Sequence, residues 1–220
     1  MIQLNSINVS YENKRVLSNI NLHIRAGQKL ALIGHSGSGK STLLKTLYEN
    51  IDKPQIKDTA FIPQDYGLVQ NLSVFHNVYM GQLGKRPTWY NLINLIKPLA
   101  EPVAEVTDIL AQLQLKDKLF EPVAQLSGGQ QQRTAIARAI IQSGSMLLAD
   151  EPFSSLDEKQ SHRVMTLLCQ HFKTLVFSLH DVDIALKYCD RIIGLSQGET
   201  VIDVAANDVT RSDLLELYGE

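Results

Sequence analysis

Lys29-Leu30-Ala31-Leu32-Ile33-Gly34-His35-Ser36-Gly37-Ser38-Gly39-Lys40-Ser41-Thr42 is the stretch that decides the fold of this chain. Its first five residues form a short, apolar run bounded by glycines, as expected of a buried parallel strand. The rest has the spacing of a phosphate-binding loop, and Ser41 to Tyr48 reads as the helix behind it. Glycines let the backbone turn several N–H groups onto one anion, and the helix start adds the positive end of its dipole. Lys40 is then expected to reach the β- and γ-phosphates of a nucleotide, and the Ser41 hydroxyl to hold Mg²⁺. The expected nucleotide-binding segment is Gly34, His35, Ser36, Gly37, Ser38, Gly39, Lys40, Ser41 and Thr42. Within it His35 occupies a variable slot and is given no role of its own. An ordinary Gly/Ser turn would not need Lys-Ser at this offset between a strand and a helix.

A second apolar strand, Met146-Leu147-Leu148-Ala149, ends in two adjacent carboxylates, Asp150 and Glu151. At the carboxyl end of a parallel strand such a pair faces the same crevice as the phosphate loop. Asp150 is expected to position Mg²⁺ through its water shell, and Glu151 to polarise the water that attacks the γ-phosphate. Alone, two acids after a strand are a weak signal; with the loop upstream they point to Mg²⁺-dependent nucleotide hydrolysis.

Further out, the signals are those of an ordinary globular chain. The 220 residues carry 21 Lys plus Arg against 23 Asp plus Glu, a formal charge of −2, which argues against a broadly basic nucleic-acid binder. Two cysteines, Cys169 and Cys189, match no metal-ligand spacing and suit a reducing compartment as buried small residues. The apolar runs are a few residues long, far short of the about 20 that a spanning helix needs. Met1 to Arg15 is polar and alternating, without the apolar core of a signal peptide. Ile2, Leu4, Ile7 and Val9 suit an exposed strand near a sheet edge. Strands are also expected at Thr59 to Pro63, Thr174 to Ser178, Arg191 to Leu195 and Thr200 to Val204. From Leu68 to about Ser143 the pattern is helical: Val103, Val106, Ile109, Leu110 and Leu113 mark one apolar face, with Pro87, Pro98 and Pro102 punctuating the approach. His162 and His171 read as solvated helix residues. The pattern argues a mainly parallel α/β sheet with a helical insertion. The fold expected is a phosphate-loop core with that sheet, a small N-terminal antiparallel β part and an inserted helical subdomain. The boundaries expected are 1–64 with 144–220 for the discontinuous core, and 65–143 for the helical part.

Leu126-Ser127-Gly128-Gly129-Gln130, followed by Gln131-Gln132-Arg133, discriminates most. A Ser hydroxyl and a Gly-Gly backbone just before a helix make a second phosphate site; the plainer reading is a Ser cap on a flexible loop. At these residues the chain resembles the ATP-binding subunits of ABC transporters, over essentially its whole length. The resemblance implies that two subunits pair head to tail, with ATP between the phosphate loop of one and Ser127, Gly128, Gly129 and Gln130 of the other. It also implies an adenine-stacking role for Tyr11 and contact of Gln64 with Mg²⁺ and, beyond it, with the membrane subunits. By the same resemblance Asp157, in Ser155-Leu156-Asp157, crosses the dimer interface, and His180, after Val176-Phe177-Ser178-Leu179, contacts the γ-phosphate. Outside the family pattern, a strand Tyr is more often packing and a lone His after a strand is usually structural.

Gly67-Leu68-Val69-Gln70-Asn71-Leu72-Ser73-Val74, Gly81-Gln82-Leu83-Gly84, Pro87-Thr88-Trp89 and the closing Leu217-Tyr218-Gly219 look like the phosphonate-importer ATPases of that family. The resemblance therefore implies ATP and Mg²⁺ as cofactors and phosphonate or a related oxyanion as cargo. The implied partners are a second ATPase subunit, transmembrane permease subunits and, through the permease, an extracytoplasmic solute-binding protein. No nucleic acid is expected. The implied location is peripheral, on the cytoplasmic side of the cell membrane. An exporter or lipoprotein-release ATPase and a soluble, non-transport ABC ATPase stay open as alternatives. Tyr66, Leu68, Phe75 and Tyr79 are candidates to line a permease groove, or to pack the helical subdomain. One departure stands out: Gln64 follows Lys40 by only 24 positions, too few for the strand pair that usually decorates the core there.

Overall fold

The computed structural model describes residues 2–12 and 14–215, so the Leu217-Tyr218-Gly219 ending lies outside the described residues. Strands β1 (Ile2–Tyr11) and β2 (Lys14–Ile24) form an antiparallel ribbon, followed by β3 (Lys29–Ile33) and helix α1 (Lys40–Glu49). A one-turn helix α2 (Lys53–Ile56) leads into β4 (Thr59–Ile62). Helices α3 (Val74–Tyr79), α4 (Thr88–Ile96), α5 (Ala100–Gln112) and α6 (Gly128–Gln142) precede β5 (Met146–Asp150). The rest alternates: α7 (Glu158–His171), β6 (Thr174–Ser178), α8 (Val182–Tyr188), β7 (Arg191–Ser196), β8 (Glu199–Ala205) and α9 (Arg211–Leu215). The large sheet has the order β4-β5-β6-β3-β7-β8 and is parallel except for the antiparallel edge pair β7–β8. This is the mixed α/β architecture expected. Between α1 and β4 only α2 intervenes, in keeping with the short stretch from Lys40 to Gln64.

Strand alternation divides the core in two, because successive side chains leave a strand on opposite faces. Leu30 and Leu32 of β3, Met146 and Leu148 of β5 and Val176 of β6 face Leu43, Leu44 and Leu47 of α1 and the inner side of the β1–β2 ribbon. Ala31, Ile33, Leu147, Ala149, Leu175 and Phe177 face the other way, toward α3, α5, α6, α7 and α8. Central strands buried on both faces are why these segments read as continuous apolar runs.

Several local expectations change. Pro102 lies inside the first turn of α5, not before it; its missing N–H is one of those with no intrahelical acceptor. Val106 and Leu110 of that helix are buried, with Val103 and Ile109 partly so. Phe75 lines no groove: it is fully buried on the inward face of α3. Tyr79 is largely buried, its hydroxyl donating to Asn91 Oδ1 at 2.8 Å, but it does line the hollow between α3 and α4. Tyr66 and Leu68 are partly buried against the core. His162 is not simply solvated, since Tyr188 from α8 brings its hydroxyl to 3.1 Å from the ring Nδ1. Cys189 is buried and Cys169 partly so, both free thiols.

Candidate functional site

Strand register assembles the site. Leu32 of β3 pairs with Ser178 of β6, Ser178 with Asp150 of β5, and, one residue earlier, Ala149 with Ile62 of β4. These four strands run in one direction, so the residues after them leave on one edge: Gly34, Gln64, Glu151 and His180. That is the carboxyl edge, where open α/β sheets take their ligands.

The phosphate loop is shaped by its glycines. Gly34 has φ 141°, and a Cβ there would stand 2.2 Å from the Leu195 carbonyl oxygen. Gly39, at φ 105°, would put a Cβ 2.8 Å from Leu17 Cδ2. Larger residues would strain the backbone and collide at both places. Gly39 is also the cap residue of α1, and no side chain caps that helix, so its first N–H groups face the pocket. Lys40 is buried, and its Nζ donates to the carbonyls of Gly34 (2.7 Å) and His35 (3.0 Å). Burial pushes its pKa down, against the opposing pull of Glu151 and Asp150. A polar pocket of about 180 Å³ opens over the loop. Ser36, Gly37, Lys40, Ser41 and Thr42 line it with Gln64 and Glu151, and Val16 closes one side.

Behind the loop, Ser178 ties the two acids together. Its hydroxyl accepts from the Glu151 N–H at 2.8 Å and donates to Asp150 Oδ1 in a short hydrogen bond. Asp150 is thereby buried with a partner, as a buried carboxylate must be. Glu151 has φ 48°, a conformation that costs energy outside glycine and recurs at functional sites. Its Oε1 lies 2.8 Å from His180 Nε2, and the His180 ring is half exposed. Glu151 fronts two hollows: the phosphate-loop pocket and a neighbouring one shared with Phe153, Leu156 and His180. The donor set expected from sequence for Mg²⁺ is Ser41, Gln64 and Asp150, and of these Ser41 and Gln64 line the pocket while Asp150 lies buried behind it. Among the described residues no cluster of three His, Cys, Asp or Glu could hold a metal by itself. One carboxylate with neutral oxygens suits a hard cation that arrives with phosphate and water, so these residues fit Mg²⁺.

Ser127 caps α6 with a reciprocal box: its Oγ accepts from Gln130 N–H, and Gln130 Oε1 accepts from Ser127 N–H. Gly128 and Gly129 are the first residues of the helix rather than a flexible loop, and a Cβ on Gly129 would stand 2.8 Å from the Ser155 carbonyl oxygen. Asp157 caps α7, accepting from the N–H and the side chain of Gln160. The pocket over the phosphate loop is not lined by Ser127, Gly128, Gly129, Gln130 or Asp157, nor by Tyr11, which is half exposed at the end of β1.

Four residues given no role from sequence support the site. Ser178 and Val16 are two. Gln132, fully buried on α6, donates to the Glu151 carbonyl at 3.0 Å and accepts from Ser155 N–H at 3.1 Å. Arg138, one helical face further on, donates to the carbonyls of Tyr66 and Gly67, both at 2.6 Å. One helix therefore holds both the loop after Glu151 and the loop after Gln64. Ser178 was the legible one: a polar residue ending an apolar strand next to an acidic one.

The sequence profile of the ABC transporter family matches residues 17–154. The phosphonates import ATP-binding protein PhnC 2 of Cupriavidus necator is 37% identical over 249 residues, covering 99% of this chain and 87% of that protein. PhnC 3 of Halalkalibacterium halodurans is 38% identical, covering 100% and 94%. Both alignments run longer than the chain, so these relatives carry stretches that it omits. Among solved structures, the dimeric ATP-binding cassette MJ0796 bound to ADP and Pi superposes with a TM-score of 0.77 at 28% identity, covering 94% of this chain and 99% of that one.

Proposed function

The chain belongs to the ABC transporter family and is an ATPase of its cassette type, and from that premise we propose that it drives an importer, pairing with a second copy on ATP to move phosphonate or a related oxyanion through a permease. One observation carries the catalytic part: strand register gathers Lys40, Ser41, Gln64 and Glu151 around a single polar pocket, with Asp150 behind them. The cargo is inferred from relatives whose names specify phosphonates import. The chain is divided into a core of 1–64 with 144–220 and a helical part of 65–143.

On this reading the N–H groups of Gly37, Gly39 and the start of α1 cradle the phosphates. Lys40 turns from the Gly34 and His35 carbonyls to the β- and γ-phosphate oxygens. Ser41, Gln64 and Asp150 would hold Mg²⁺, which when bound would neutralise charge on the phosphates. The Glu151 carboxylate orients the attacking water, and His180 fixes that carboxylate by its hydrogen bond and meets the γ-phosphate. Tyr11 stacks on adenine. Ser127, Gly128, Gly129 and Gln130 serve the nucleotide of the second copy, with Asp157 at the seam. Catalysis is then positioning and electrostatics.

The permease is assigned to a groove of about 470 Å³ between α3 and α4, where Leu72, Tyr79, Met80, Leu83, Leu92 and Leu95 are the apolar and aromatic lining. The loop from Gln64 leads to it, and Arg138 fixes that loop to α6. A solute-binding protein acts through the permease, and this chain sits peripherally on the cytoplasmic face. Glu151→Gln is expected to abolish steady-state hydrolysis while keeping ATP-induced dimerisation, read by malachite-green turnover and size exclusion. Wild-type turnover in that variant would remove Glu151 from the mechanism.

A further inference from the structure

Helix α4 is built inside out. Its nine residues carry no charge. Asn94 is completely buried, donating to the Tyr90 carbonyl and accepting from the Leu99 N–H. Asn91 also turns inward, donating to the carbonyls of Leu83 and Arg86 and accepting from Tyr79. The large apolar side chains face out: Trp89 is 63% exposed, Leu92 56%, Ile93 41%, Leu95 52% and Ile96 86%. At about 100° per residue they fall into two adjoining strips. Leu92 and Leu95 turn toward α3 and line the groove already described. Trp89, Ile93 and Ile96 form the second strip on the next flank, and none of them lines that groove.

We propose that the Trp89-Ile93-Ile96 strip rests in the headgroup boundary of an anionic membrane surface. This rests on the reading of the chain as a peripheral subunit beside a permease, since groove and strip are neighbouring flanks of one helix. Three features select lipid over a protein surface. The strip is a highly exposed ridge, which a soft medium surrounds without needing a matching hollow. Exposed Lys85 and Lys97 stand beyond the two ends of the helix with no acidic residue between them. Lys85, Arg86 and Lys97 outnumber the first carboxylates past them, Glu101 and Glu105, both within ion-pair distance of Arg86, so the segment keeps positive charge for anionic headgroups. The indole of Trp89, near the helix start, has the apolar body and single N–H donor that favour a lipid–water boundary.

Trp89 is the only tryptophan of the chain, so its fluorescence reports this strip alone. The purified 220-residue chain is titrated with phosphatidylethanolamine–phosphatidylglycerol vesicles and, separately, with phosphatidylcholine vesicles. Emission, quenching by lipids brominated near the headgroup, and ATP hydrolysis are read on the same samples. The expected result is a blue shift with bromolipid quenching on the anionic vesicles, diminished by high salt. Ile96→Glu and Ile93→Glu, both at exposed positions, are expected to weaken partitioning about tenfold or more while hydrolysis stays at the wild-type rate. Emission that remains unshifted and open to iodide with both vesicle types overturns the proposal. So does a shift that requires detergent-solubilised permease and no lipid, which would give the strip to a protein. An equal shift on phosphatidylcholine overturns the part assigned to Lys85 and Lys97. Absence of hydrolysis by the wild-type chain overturns the parent reading alone, because the fluorescence is read independently of it.

Discussion

Ser178 is paired in register with Asp150, and its one hydroxyl serves both acids: it accepts from the Glu151 backbone and donates to the Asp150 carboxylate. Removing it leaves a buried carboxylate short of a donor and frees the strained Glu151 backbone. Ser178→Ala is therefore expected to lower kcat about 10- to 100-fold with little change in KM for ATP, the range typical of lost supporting hydrogen bonds. Ser178→Thr, which keeps the hydroxyl, is expected to restore most of the rate; an alanine variant with wild-type kcat would show that the bridge is idle. Cys189 gives a second test at this scale. Burial pushes its thiol up to about 12 from an ordinary value near 9. Between those values the folded chain keeps a proton that the unfolded chain has lost, so stability is intact below about pH 9 and falls as pH rises toward 12. The slope expected is about 1.4 kcal/mol per pH unit from this one group. Urea melts across that window, compared with Cys189→Ala, should show the slope flattened in the variant.

At the scale of elements, α6 is the hub, because one helix capped by Ser127 fastens two loops of the candidate site along its length. Gln132 holds the carbonyl of Glu151, and Arg138 holds the carbonyls of Tyr66 and Gly67, just past Gln64. Lysine cannot reproduce the two-armed donation of an arginine. Arg138→Lys is expected to raise hydrogen exchange across residues 65–73 while β3 and β5 stay protected, and equal exchange in both proteins would refute the clamp. None of this was legible in the sequence, whereas the phosphate loop and the acidic strand were. The difference is one of range. Gly34 to Thr42 lie in one continuous stretch whose spacing already states the geometry, and Asp150-Glu151 end a strand whose burial shows in its own residues. The duties of Gln132, Arg138 and Val16 depend on which remote segment packs beside them, which no local period records. Helix α4 is the sharper case: its composition reads as apolar and insert-like, but only packing reveals that Asn91 and Asn94 point in and Trp89 and Ile96 point out.

For the whole molecule the decisive fact is that two helix starts fit for phosphate, at α1 and α6, do not line one pocket within the chain. A cassette that uses both must supply them from two copies, each facing the other's phosphate loop in a closed, two-fold pairing. That geometry separates cis from trans arrangements of damage. Lys40→Ala disables a phosphate loop and Ser127→Arg disables the opposing helix start, so each variant alone is expected to be inactive. In a mixed dimer the Lys40→Ala chain still offers an intact Ser127, and the Ser127→Arg chain still offers an intact Lys40. Those two intact halves meet in one complete site, while the two damaged halves meet in the other. An equal mixture should then recover roughly a quarter of the wild-type rate, since half the dimers are mixed and one site of two works in each. Placing both substitutions on one chain and mixing it with wild type gives the opposite result, because every mixed dimer has one damaged half in each site. Its activity should fall to roughly a quarter as well, but from the wild-type homodimers alone, and it should vanish when those are removed by affinity tags. Recovery in the first mixture that survives tag selection for mixed dimers, and loss in the second, is the signature of a shared site. Failure of the two single variants to complement each other would mean that the chain works without the head-to-tail partner.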